Sequence, residues 1–143
     1  MLYQRTIAVF SCVHYAGFMV TEAKTNLVAI IDDDEYVRNA LEGLMKAVGL
    51  PARAFASAEE FLKSGQQYHT ACLITDIRMP GMSGLDLQAR LNSERRRIPI
   101  IFITAHGDTN MRMQALRAGA VEFLAKPFSD DVLIEHVKAA LAI

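Results

Sequence analysis

The chain has 143 residues, 52% of them hydrophobic and 22% charged, with a formal net charge of -1. That length is enough for one domain with a sizeable core, and the balance is that of an ordinary soluble globular protein in a reducing, cytoplasmic setting. The small net charge excludes a general attraction to nucleic acid or an anionic membrane, and Cys12 and Cys72 form neither a metal-ligand spacing nor a disulfide framework.

Residues 1–20 are fairly apolar, but Gln4, Arg5, Ser11 and His14 interrupt them, so they fail as a membrane span and make a poor secretory signal. Met19 followed by VTEAKTN reads as a native start. Residues 1–26 are therefore expected to be an N-terminal extension, poorly ordered or from an upstream start, ahead of a domain over 27–143. LVAII at 27–31 predicts the first strand. Val37, Leu41, Leu44 and Val48 recur at helical spacing, and Gly49 supplies a stop. ARAFA at 52–56 is a weaker strand. Ser57-Ala58-Glu59-Glu60 has the form of a capping box and opens a short helix. ACLIT at 71–75 predicts the third strand, with Met79-Pro80-Gly81 turning the chain away and Asp76 in the loop between. Leu85, Leu87 and Leu91 mark a helix after Gly84. Arg95-Arg96-Arg97 reads as a solvated turn. IPIIFIT at 98–104 is the strongest strand. Met111 to Ala118 is helical up to Gly119, AVEFLA at 120–125 is the fifth strand, and Val132 to Leu141 the last helix. Alternating strand–helix units with continuous apolar strands imply an α/β doubly wound fold, a parallel sheet covered on both faces by five helices. Sites in such folds lie outside the carboxyl ends of the strands.

The polar residues fall at those ends. Asp32, Asp33 and Asp34 follow the first strand, Asp76 the third, Thr104 ends the fourth and Lys126 follows the fifth. Alone, each has a plain explanation: Asp34 would cap the first helix. Together they point to chemistry. Neighbouring carboxylates repel unless a cation intervenes, and Mg²⁺ takes one or two carboxylates while keeping waters and a phosphate oxygen. A carboxylate can also accept a phosphoryl group as an acyl phosphate. Lys126 would supply a second positive centre and Thr104 a hydroxyl, while Ala105 and Gly107 are small enough to let a phosphoryl group approach.

DDDEYVR, TDIRMPGMSG, FITAHGD and AGAVEFLAKPF resemble the receiver domains of two-component response regulators, of the FixJ type and CheY-like in fold, over about 26–143. The resemblance implies the strand order 2-1-3-4-5. It implies that Asp76 is phosphorylated by a histidine kinase or phosphotransfer protein. Asp33, Asp76 and the main-chain carbonyl of Arg78 would bind Mg²⁺, with Asp32 in support. Lys126, joined to Pro127 by a cis bond, would contact the phosphoryl group. Thr104 and Phe123 would form the switch that repacks the surface of the fourth helix, fifth strand and fifth helix, a face through which phosphorylation could also drive a homodimer. Two readings stand for Phe123: its ring populates the inward state more than a tyrosine would, or it is core in both states. Arg78 and His106 would tune the lifetime of the phosphate; His14, His69 and His136 have no ligand spacing.

Such a chain is a signalling switch that catalyses its own phosphorylation and dephosphorylation rather than a metabolic enzyme. With no helix-turn-helix pattern present, it would act through protein contacts or be part of a longer transcription factor, without direct nucleic-acid or membrane binding. Two rivals fit less well. A haloacid-dehalogenase-type phosphatase would use Asp32 as nucleophile, but Tyr36 stands where Thr or Val belongs. A flavodoxin-like flavin binder would place a phosphate loop where three aspartates repel phosphate.

Overall fold

The computed structural model describes residues 25–105 and 107–143. Its elements are β1 (Leu27–Ile31), α1 (Glu35–Ala47), β2 (Ala52–Phe55), α2 (Ala58–Ser64), a 3-10 turn (Gln66–Tyr68), β3 (Thr70–Asp76), α3 (Gly84–Ser93), β4 (Ile100–Thr104), α4 (Thr109–Arg117), β5 (Glu122–Ala125) and α5 (Asp130–Leu141). The strands form one parallel sheet in the order β2-β1-β3-β4-β5, as expected.

The continuous apolar runs follow from a sheet buried on both faces. Alternate residues point to opposite sides. Val28, Ile30, Cys72, Ile74, Ile101 and Ile103 pack with Leu41 and Met45 of α1 and Leu133 and Val137 of α5. Ala29, Ile31, Leu73 and Phe102 pack the other way, against Phe61 of α2, Leu87 and Leu91 of α3 and Ala115 of α4. Cys72 is a core residue, and burial pushes its thiol up to about 12, which makes it unreactive.

Several boundaries differ from expectation, each for a local reason. β4 begins at Ile100 rather than Ile98, since Pro99 has no N–H to enter a ladder; its carbonyl instead accepts from Leu73 N at 2.9 Å. α4 starts two residues early because the Asp108 carboxylate caps it, accepting from Met111 N at 2.7 Å. Asp34 caps α1 as foreseen, accepting from Tyr36 N at 2.8 Å. At α2, Ser57 Oγ accepts from Glu60 N, but Glu60 Oε1 reaches past the cap to Ala56 N. The complete reciprocal box opens α3 instead, between Ser83 and Asp86. Arg96 is not simply solvated: its guanidinium lies 4.1 Å from the centroid of the Tyr68 ring. Among the described residues no helix is long and apolar enough to cross a membrane. The expectations for Cys12, His14, Met19 and the extension as far as residue 24 lie outside the described residues.

Candidate functional site

The carboxyl ends of β1, β3, β4 and β5 lie side by side in the sheet, which brings together residues far apart in sequence. Asp76 is not in a loop, as its turn-rich surroundings suggested. It is the last residue of β3, in register with Ile103 of β4, because its backbone still pairs in the ladder. Asp32 is only 1% exposed and Asp76 9%, while Asp33 stands exposed at the rim. Carboxylate oxygens of these three residues all lie within 4.8 Å of one another. Lys126 Nζ reaches across from the end of β5, 3.2 Å from Asp32 Oδ2 and 3.4 Å from Asp76 Oδ2.

Each carboxylate is oriented by backbone. Asp32 Oδ1 accepts from Asp34 N at 2.9 Å, and Arg38 of α1 holds the Asp32 carbonyl at 2.8 Å. Asp76 Oδ1 accepts from Ile77 N at 2.6 Å. Gly84 packs so closely that a Cβ there would collide with the Asp76 carbonyl oxygen. Gly84 and Arg38 were not foreseen as site residues. The SG pair opening α3 carried the signal for the first; Arg38 reads from sequence as an ordinary surface arginine.

Burial raises the pKa of Asp32, outweighing the lowering by Asp34 N and Lys126; the Asp76 charge adds to the rise. For Lys126, burial pulls downward, but the charges of Asp32 and Asp76 and their hydrogen bonds prevail and its pKa is raised. A carboxyl whose pKa is raised by folding favours the folded state when protonated and costs stability once ionised. Asp32→Asn is therefore expected to raise the thermal midpoint at neutral pH without added metal. The gain should fade as the pH falls through the raised pKa of Asp32; thermal melts at several pH values check this.

Three clustered carboxylates against one lysine leave excess negative charge beside a solvent opening. Hard oxygen donors in that setting suit a divalent cation that keeps part of its water. Asp33 and Asp76 can offer oxygens to it. Asp32, bound by Asp34 N and Lys126 and only 1% exposed, is the least accessible of the three.

Thr104 is buried at the end of β4, and its carbonyl accepts from Lys126 N at 2.9 Å. Phe123 is 6% exposed, its ring 6.4 Å from that of Phe102. A Cβ on Gly107 would lie 2.6 Å from Phe123 Cε1 and 2.7 Å from Thr104 Cγ2. The room left by Gly107 is thus filled by the phenylalanine ring, not kept for a phosphoryl group as its size suggested. The Lys126–Pro127 bond is cis. Arg78 is exposed, and its Nη2 lies 3.9 Å from Met111 Sδ of α4. His69 and His136 are not at the site; His136 Nε2 lies 3.5 Å from Glu122 Oε2. The expectation for His106 falls outside the described residues.

The family model described as the response regulator receiver domain matches residues 28–138. Nodulation protein W of Bradyrhizobium diazoefficiens is 48% identical over 121 residues, covering 84% of this chain and 53% of that protein. The response regulator protein TodT of Pseudomonas putida is 43% identical over 120 residues, again 84% of this chain and 53% of the relative. The chain thus spans about half the length of the curated relatives it matches. Among solved structures, FixJ-N superposes with a TM-score of 0.73 at 40% identity, covering 81% of this chain and 93% of that one. The response regulator StyR gives 0.76 at 43% identity, covering 84% and 60%. Sequence, fold and the acidic cluster agree: the chain belongs to the response regulator receiver domain family.

Proposed function

We propose that this chain is the phospho-acceptor of a two-component phosphorelay, taking a phosphoryl group from a histidine kinase or phosphotransfer protein onto Asp76. One observation carries the reading: Lys126 Nζ bridges Asp32 and Asp76 at 3.2 and 3.4 Å, beside the exposed Asp33 carboxylate. With Oδ1 of Asp76 held by Ile77 N, Oδ2 is the oxygen directed at Lys126 and at an incoming group. That oxygen attacks phosphorus, the phosphorus–nitrogen bond breaks, and its electron pair returns to the donor imidazole. Lys126 then follows the charge that spreads over the phosphoryl oxygens. Mg²⁺, held by Asp33, Asp76 and the Arg78 carbonyl with Asp32 in support, would supply the remaining neutralisation. Asp32 is the poorer nucleophile, being 1% exposed against 9% for Asp76.

Thr104 and Phe123 are the readout pair. The Thr104 hydroxyl bonds the new phosphoryl oxygen, and the adjoining Phe123 ring couples that movement to α4, β5 and α5. The result is a population shift of that surface, which serves a downstream partner, a homodimer or the regulation of transcription. Arg78 and His106, two residues beyond the acceptor and the threonine, set how fast water removes the phosphate in this cytoplasmic switch. Acetyl phosphate with Mg²⁺ tests the proposal by intact mass. The wild-type chain should gain a single phosphoryl group, lose that gain in EDTA, and show none in Asp76→Asn. Equal uptake by Asp76→Asn would refute it.

A further inference from the structure

The first turn of α2 carries two adjacent acids that do different things. Glu60 closes its own helix, Oε1 accepting from Ala56 N at 2.6 Å. Glu59 turns away from its helix and crosses to the segment between β3 and α3, where Oε2 accepts from Met82 N at 2.9 Å. Gly81 makes room for it. Its φ of +79° is left-handed, and a Cβ there would collide with the Glu59 carboxylate. The same segment is tied at its base, where Gly84 N donates to Ile77 O at 2.8 Å and Gly84 abuts the Asp76 carbonyl. Residues 77–84 therefore form a loop that leaves Asp76, is gripped near its tip by Glu59, and returns to Asp76.

We infer that Glu59 is a positioning residue for the cation site, clasping this loop so that Asp76 and the Arg78 carbonyl present their oxygens in fixed places. The identity of the ligand rests on the phospho-acceptor reading; the clasp does not. The physical need is plain. A carbonyl ligand has no rotamer to adjust, so its position is that of the loop. Mg²⁺ demands near-octahedral geometry at short distances, and a loop free to shift loses affinity.

The test uses the full chain with Glu59→Ala, Glu59→Gln and Gly81→Ala. Amide exchange at Met82 reads the clasp, and calorimetric titration with Mg²⁺, before any phosphoryl donor is added, reads the site. Glu59→Ala should speed Met82 exchange and weaken Mg²⁺ binding about three- to tenfold, the range of one ordinary net hydrogen bond, since solvent at this exposed position screens the added strength of the charge. Glu59→Gln keeps an acceptor oxygen and should stay within about twofold of wild type. Gly81→Ala, which displaces the carboxylate, should behave as Glu59→Ala does. Faster Met82 exchange with unchanged Mg²⁺ affinity overturns the positioning role, and unchanged exchange overturns the clasp. A wild-type chain that binds no Mg²⁺ overturns the cation-site reading itself, while Met82 exchange still judges the clasp separately.

Discussion

Lys126→Ala is expected to slow phosphoryl uptake by about 100-fold or more, the usual effect of removing one preorganised charge from a phosphoryl or oxyanion site. Among the described residues, neither nearby arginine is placed to replace it: Arg38 donates to the Asp32 carbonyl, and Arg78 lies against Met111 Sδ. Rates from acetyl phosphate, followed by intact mass at fixed Mg²⁺, provide the check. The same variant should lose stability at neutral pH. Folding raises the Lys126 pKa through Asp32 and Asp76, so its contribution is complete below the unfolded value of 10.5 and disappears as the pH rises through the folded one. Melts of the two proteins should therefore converge only at strongly alkaline pH. Lys126→Arg should recover stability better than rate, because a planar guanidinium keeps the charge but not the compact reach of an ammonium.

Gly84→Ala should harm both stability and site. The new Cβ would collide with the Asp76 carbonyl oxygen and lie 3.1 Å from Ile77 Cα and from Phe102 Cε1. Two of these neighbours are backbone, and the third is a core ring fixed in β4. Overpacking of this kind costs about 1–3 kcal/mol. For a domain of this size each kcal/mol lowers the thermal midpoint by about 3–6 °C. The gain in helix propensity at the first position of α3 offsets part of it, no more than about 1 kcal/mol. Phosphoryl uptake should fall as well, since relief requires the end of β3 to move. Thermal melts and acetyl phosphate rates measure the two effects independently.

Sequence alone gave the sheet and the residues at its edge because both depend on strong, local signals. Five apolar runs separated by helical spacing leave few topologies, and acids, a threonine and a lysine at strand ends have few other reasons to recur together. What escaped was what depends on packing between elements. The place of Asp76 inside β3 could not be read, because the neighbouring turn residues gave no sign that the ladder to Ile103 continues so far. Gly107 looked like space for a ligand; only the fold places the Phe123 ring in that space. Glu59 was read as part of a capping motif. A carboxylate that crosses 23 residues of sequence to a backbone amide leaves no mark in a local pattern.

The central claim is that Asp76, and neither Asp32 nor Asp33, carries the phosphoryl group. Its most direct test is borohydride reduction of the chain after acetyl phosphate and Mg²⁺ treatment, followed by peptide mass spectrometry. An acyl phosphate is reduced to an alcohol, so the modified residue is marked as homoserine. The mark should appear at position 76 alone, and only when Mg²⁺ is present. Homoserine at position 32 or 33, with position 76 recovered as aspartate, would contradict the account.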